Sequence, residues 1–233
     1  MEKIADIIQK NTGITFTNIE ILQTAFCHTS YANEHAKEKL KDNERLEFLG
    51  DAVLELITSD FLFNTYPDKP EGQLTRMRAQ LVKEPSLALV ARKYQLDQLI
   101  QLGKGEEASG GRFRDSIVSD AFEAFLGAIY LDQGFARVTE FLQQALLKPH
   151  LQIIKVINID YKTLFQEKVQ SQGPVNIDYR LIKEEGPAHH RLFVVALYLD
   201  DQLVSQGQGY SKKSAQMAAA EAALEAMDEK GKL

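Results

Sequence analysis

Fourteen residues, Asn43 to Leu56, read NERLEFLGDAVLEL and set three acids where they must face one another. At about 100° per residue on an α-helix, Glu47 and Asp51 lie about 300° and 340° round from Glu44, so the three carboxylates share a sector of about 60°. Leu46, Leu49, Val53, Leu56 and Ile57 fall opposite, and their spacing predicts the core stripe of the same helix. A second run, 115–133, repeats the pattern. Asp120 and Glu123 stand three residues apart on one face, Phe122, Phe125, Leu126 and Ile129 form the other, and Gly127 adds no bulk one turn beyond the acids. If the two acid faces meet, Glu47, Asp51, Asp120 and Glu123 converge. Two carboxylates about 5 Å apart at an effective dielectric near 20 repel by roughly 3 kcal/mol. A cation or a shared proton relieves that. Oxygen-only ligands without His or Cys beside them favour a hard divalent ion, magnesium or manganese, over zinc. A shared proton instead gives a carboxyl of raised pKa, suited to acid/base work. Two separately solvated acidic faces is the third reading, and residue types alone do not choose among the three.

The elements that must carry these acids follow from periodicity. Apolar spacing of helical type recurs over 2–11, 18–26, 43–64, 73–102, 115–132 and 134–147, so the first part of the chain is expected to be all-α. Tyr66–Gly72 and the glycine-rich 103–111 read as connectors. The latter lacks the Gly-Lys-Ser/Thr ending of a phosphate loop and follows no strand. After Lys148-Pro149 the period changes. A helix from Tyr161 to Gln172 stops at Gly173-Pro174, and alternation then predicts strands around Ile177, Tyr179 and Leu181, and around Phe193, Val195, Leu197 and Leu199. Asp200-Asp201 is a hairpin turn before a third strand, 202–208, and an alanine-rich helix closes the chain over 211–228. The expected fold class is an all-α domain over 1–150, followed by a small α+β domain of order α-β-β-β-α over 158–230.

With 233 residues, 44% of them hydrophobic, the chain can bury a real core. Its start has no long apolar segment, and the longest uncharged apolar run, 192–199, is too short to span a bilayer, so a cytoplasmic location is expected. One cysteine, Cys27, excludes an internal disulfide and cannot by itself build a thiolate metal site, and it reads as a small buried apolar residue. The net charge of −6 taken alone argues against a polyanion partner. Net charge does not say where charges sit, so the case for nucleic acid rests on local placement.

The segment Asn43-Glu-Arg-Leu-Glu-Phe-Leu-Gly-Asp51 resembles the signature of the ribonuclease III family. Asp120-Ala-Phe-Glu-Ala124 matches the family's second acidic motif, Gly105-Glu106 and Ser109-Gly-Gly-Arg112 fit between them, and the C-terminal part resembles a double-stranded-RNA-binding domain. The resemblance implies a magnesium-dependent endonuclease, with manganese a substitute. It would cut duplex RNA to 5′-phosphate and 3′-hydroxyl ends with short 3′ overhangs, in the processing of ribosomal and messenger RNA precursors. Carried over, Glu47, Asp120 and Glu123 match metal ligands, and Asp51 and Glu123 match catalytic positions. Glu44 and Glu71 match secondary positions of the acidic valley, near the scissile region or the subunit boundary. A metal-activated water suffices for such chemistry, and no protein nucleophile is visible. Glu55, about 20° round on the acid side, lies outside the signature and reads as a solvated acid. Phe48, about 40° round, also lies on the acid side and needs a cover. The resemblance implies a homodimer in which this ring packs across the two-fold interface. His28 matches a family segment without a catalytic role and reads as structural.

For duplex RNA, the wide minor groove with its 2′-hydroxyls asks for polar groups along one face and cations for phosphates. Thr163, Gln166 and Gln170 lie within about 60° of one another on their helix and suit hydroxyl contacts. The Gly186-Pro-Ala-His189 turn matches the loop that enters the next minor groove. Where the family commonly carries lysines after that histidine, this chain has His190-Arg191. Lys212 and Lys213 open the last helix, where its dipole disfavours cations unless an anion is present, which points to phosphate. Residues 160–233 nonetheless hold nine Lys/Arg against eleven Asp/Glu, a net of −2. An acidic module of this kind is expected to bind with steep salt dependence.

Overall fold

The computed structural model describes residues 4–171, 173–186 and 191–230, with side chains as far as Met227, and the chain divides between Ile157 and Asn158 into two units. The first is helical: α1 (Ile4–Thr12), α2 (Ile19–Ala25), α3 (Thr29–Glu34), α4 (Glu44–Thr65), α5 (Glu71–Leu81), α6 (Glu84–Lys93), α7 (Lys104–Ala108), α8 (Asp115–Gln133), α9 (Phe135–Leu142) and α10 (His150–Ile157). Its organising element is α8. Ile117, Val118, Ala121, Phe122, Ala124, Phe125, Leu126, Ala128 and Ile129 are all buried, so this helix is apolar nearly all round and must sit inside the unit. Phe125 lies at the centre, its ring 5.9 Å from Phe16, 5.8 Å from Phe26 and 5.6 Å from Phe141. Against one flank of α8 lies α4 and against another lies α6.

Three expectations are corrected here. The run 73–102 is two helices, because the chain turns at Val82-Lys83. Pro85, near the start of α6, has no N–H to give to an uninterrupted helix but fits a first turn. Ser86 locks the corner, its hydroxyl donating to the Gln80 carbonyl at 2.5 Å. The second correction concerns Leu56, expected in the core and 58% exposed. The buried stripe of α4 runs instead through Leu46, Gly50, Val53, Leu54, Ile57, Thr58 and Leu62, rotated so that Gly50 and Leu54 replace Leu49 and Leu56 at its centre. Third, helix continues past Pro149 as α10. It is held by His150, whose Nδ1 donates to the Leu147 carbonyl at 2.6 Å, leaving Nε2 to accept from the Tyr66 hydroxyl at 2.6 Å.

The second unit is α11 (Tyr161–Gln170), β1 (Ile177–Glu185), β2 (Leu192–Leu199), β3 (Gln202–Gly209) and α12 (Lys212–Lys230), the expected α-β-β-β-α order. The sheet is antiparallel in the order β1-β2-β3. Asp200 and Asp201 both take positive φ, 45° and 65°, as a two-residue hairpin turn matched to strand twist requires. Phe165, Val169, Leu197, Ala219, Ala220 and Ala223 make the core. The alanines serve proximity, since a side chain on Gly207 of β3 would meet the backbone of Ala215 and Ala218 on α12. Helix and strand are in backbone contact there.

Candidate active site

The crossing of α4 and α8 determines the geometry of the acids. Gly50 faces the backbone of Glu123 and Gly127, and Gly127 faces the backbone of Leu46, so closely that a Cβ on either would run into the opposing carbonyl. Each glycine is the gap the other helix needs. Glu47 and Asp51 flank Gly50 on α4, Glu123 lies opposite it, and Asp120 is one turn before Glu123. Four predicted acids thus meet across a bare backbone crossing, and none has an ion pair among the described residues.

Their electrostatics record the crowding. Glu123 is pushed up to about 8, first by burial and then by the charges of Asp51, Asp120, Glu47 and Glu84. Asp120 rises to about 6, again by burial and then by Glu84, with a hydrogen bond to Ser119 pulling the other way. Burial, then Asp120, Glu44 and Asp51, also raise Glu47. Burial leads in each case, and like charge adds to it. As the side chains stand, no group of three or more His, Cys, Asp or Glu among the described residues is close enough to grip one ion. The donor set of the four acids is oxygen-only, which suits a hard divalent ion.

The other predicted acids are placed unequally. Glu44 is exposed beside the site and acts on Glu47. Glu71 is elsewhere: its carboxylate accepts from the Thr75 hydroxyl at 2.8 Å, and its charge is not among those acting on Glu47, Asp120 or Glu123. It lines a cavity of about 560 Å³ with Leu56, Phe63, Leu74 and Arg78, none of them one of the four acids. Glu55 lies 3.9 Å from Arg78 as an outlying ion pair. Phe48 is 80% exposed on the α4 flank that also bears Leu56 and the exposed Phe63. His28 caps α3, its Nδ1 accepting from the Ser30 amide at 3.2 Å, and Cys27 is buried and free. Glu84 was hidden by reading 73–102 as one helix. Pro85, a first-turn residue, was the signal for it.

In the second unit Thr163, Gln166 and Gln170 are exposed on α11 as expected. Thr163 is also tied to the helix cap, its amide donating to Asp160 at 3.1 Å, while the Gln166 side chain donates to that of Gln170 at 3.5 Å. His189 lies outside the described residues. Four of the module's acids are paired on the sheet, where Arg180 pairs with Asp178 and Asp201, Lys183 with Glu185 and Arg191 with Glu184. Lys212 and Lys213 are exposed at the start of α12, behind a reciprocal cap of Ser211 and Ser214 with both N···O distances 3.0 Å. They have no ion pair among the described residues. Replacing both by alanine is expected to weaken binding of an RNA duplex and to lower the slope of log affinity against log salt by about one to two. Binding titrations without divalent cation at several salt concentrations read this directly, and an unchanged slope would exclude both lysines from phosphate contact.

The two units together define an endoribonuclease: a helical domain whose carboxylates converge, followed by a duplex-RNA-binding domain. Residues 18–150 match the Ribonuclease-III-like family and 161–227 the double-stranded RNA binding motif. Ribonuclease 3 of Staphylococcus haemolyticus is 53% identical over 212 residues, 91% of this chain and 86% of that protein. That of Streptococcus pneumoniae is 50% identical over 226 residues, 97% of each. Among solved structures, a nuclease domain of ribonuclease III from Campylobacter jejuni, described for flexibility in a region involved in dimer formation, matches with a TM-score of 0.55 at 35% identity, covering 64% of this chain and 95% of that one. The chain belongs to the ribonuclease III family.

Proposed function

We propose that this chain is a homodimeric, magnesium-dependent endoribonuclease, with manganese an alternative ion, that cuts duplex RNA to 5′-phosphate and 3′-hydroxyl ends with short 3′ overhangs. The observation that carries the reading is the meeting of Glu47, Asp51, Asp120 and Glu123 at the Gly50–Gly127 crossing without any basic partner among the described residues. Glu47, Asp120 and Glu123 would hold the ion. When bound, a divalent ion supplies Lewis-acid chemistry at a phosphodiester, neutralising charge at the reacting phosphate and making water more acidic. Glu123, at about 8, keeps its proton near neutrality, so holding a cation there would be coupled to release of that proton. Asp51, the exposed member, is the carboxylate best placed to take a proton at the mouth, and Glu44 extends the acid wall beside it.

Gln166, Gln170, Thr163 and His189 are assigned to 2′-hydroxyl contacts, and Lys212 and Lys213 to phosphates. Phe48, Leu56 and Phe63 form the apolar flank assigned to the two-fold interface. Glu71, lining the cavity between Leu56 and Phe63, is then a residue of the subunit boundary. No described helix is long and apolar enough to cross a membrane, which agrees with a cytoplasmic role in ribosomal, messenger and transfer RNA processing. Incubating the purified chain with a long RNA duplex tests the reading. Cleavage to 5′-phosphorylated fragments is expected with magnesium or manganese and none with a chelator. A duplex left intact across a range of metals and salt would sink it.

A further inference from the structure

The first turn of α4 carries Glu44 and Glu47, so the site depends on how that turn is held. Helix starts are where backbone amides lack intrahelical partners and where helices open first. Packing gives this start little help. Glu44, Arg45 and Phe48 are exposed and Glu47 is half-buried, which leaves Leu46 as the side chain that buries the turn. The residue in front of it, Asn43, is nevertheless only 3% exposed, and a buried amide side chain is costly unless it is bonded.

Asparagine is common at helix starts because, from an extended backbone, its side chain caps the first turn. Asn43 does neither. Its φ and ψ, −87° and −7°, are helical, and its side chain makes no capping bond among the described residues. The oxygen that takes a first-turn amide belongs to Asp42, which accepts from the Glu44 N–H at 3.3 Å. Asn43 Nδ2 turns instead to the Ala25 carbonyl, a long bond of 3.4 Å, and the Asn43 N–H donates to the Cys27 carbonyl at 2.9 Å. On its other side the Asn43 carbonyl accepts from the N–H groups of Leu46 and Glu47, both at 2.9 Å. The stretch it grips is itself fixed. Ala25, Phe26 and Cys27 are buried, and Gln101 braces them, its N–H donating to the Phe26 carbonyl at 2.7 Å and its carbonyl accepting from the His28 N–H at 3.1 Å. We infer that Asn43 is a positioning residue of the site, a clamp that fixes the Glu44–Glu47 turn of α4 against residues 25–28. Gly50 sets where α4 meets α8. Asn43 holds the same helix two turns earlier, about 10 Å back along its axis, so Glu47 lies between two fixed points. A displacement of about 1 Å at a reacting centre can cost about 100-fold in rate. The inference rests on the reading of Glu47 as part of the cleaving site.

Asn43→Ala and Asn43→Asp in the full-length protein test this, the second keeping the shape of the side chain while removing its N–H donor. Hydrogen exchange of the metal-free variants should quicken by about tenfold over 43–48 and stay unchanged through the rest of the helical unit. On an RNA duplex with saturating magnesium, kcat should fall by about 100-fold with KM for the duplex unchanged. Unchanged kcat in either variant overturns the inference. So does exchange that quickens throughout the unit, or a pair of variants that no longer unfold cooperatively, since either result would make Asn43 a support of the whole fold rather than of one turn. Unsubstituted protein that leaves the duplex intact would sink the cleavage reading instead, and the exchange measurement would still decide whether Asn43 holds the turn.

Discussion

Glu123→Gln is expected to leave the protein folded and bound to an RNA duplex while lowering cleavage by about 10³-fold or more, the scale of removing a preorganised charge from the reacting centre. The change keeps the size of the side chain and its place opposite Gly50, so packing at the helix crossing is undisturbed. It removes the carboxylate that three of the other acids and Glu84 act upon. A gel assay for cleavage beside a binding titration separates the two effects. Loss of both together would show a folding defect, and retained cleavage would remove Glu123 from the chemistry.

The same substitution should change how stability depends on pH. In the folded, metal-free protein the Glu123 carboxyl stands at about 8 against an ordinary value of 4.5, and Asp120 at about 6 against 3.8. A folded-state value above the unfolded one means that the native state binds more protons between the two. The resulting stabilisation is complete below the unfolded value and is lost as pH rises through the folded one. Metal-free protein should therefore melt at progressively lower temperature between about pH 5 and pH 8, and Glu123→Gln should flatten most of that slope. On the proposed reading magnesium would bind the deprotonated carboxylates, so its stabilising shift should be larger at pH 8 than at pH 5. Thermal melts with and without chelator across that range check the sign. A metal-free protein that becomes more stable toward pH 8 would contradict the crowding of the acids.

What the sequence made legible was whatever a single helix determines by itself. Glu47 with Asp51 and Asp120 with Glu123 were readable because each pair shares a helical face, and α-β-β-β-α because its periods switch cleanly. What depended on packing between elements was not. Leu56 sits at the edge of the stripe that periodicity defines, and only the approach of α8 to Gly50 shows that the true stripe is rotated away from it. The corner between α5 and α6 was masked because apolar spacing runs on through Val82, and with it went Glu84, whose charge acts on Asp120 and Glu123. Glu71 matches a family position, yet its own fold places it beside the Leu56–Phe63 cavity, and no single-chain pattern could separate those roles. In the RNA-binding module the net charge is silent about placement in the same way: Asp178, Asp201, Glu184 and Glu185 pair with basic side chains on the sheet, while Lys212 and Lys213 stand apart at the start of a helix.

The glycine of NERLEFLGD carries the other large effect. Gly50→Ala is expected to abolish cleavage and to cost about 3 kcal/mol or more of stability, the upper range for forcing atoms into a packed core. A Cβ at position 50 would stand 2.6 Å from the carbonyl carbon of Glu123 and 3.0 Å from the amide nitrogen of Gly127, and nearer still to the Glu123 carbonyl oxygen. All of these are backbone atoms, so no rotamer change can make room and the helices must separate. Separation acts on the acids directly, because Glu47 and Asp51 ride on one helix and Asp120 and Glu123 on the other, so spreading the crossing opens the set at its hinge. Gly127→Ala should behave alike through the Leu46 carbonyl. Gly72→Ala on α5, where nothing lies within 4 Å, should be neutral or stabilising by up to about 1 kcal/mol. Denaturant unfolding and duplex cleavage measured on all three decide the matter. If Gly50→Ala keeps its stability and its activity, the α4–α8 crossing is not what brings the carboxylates together.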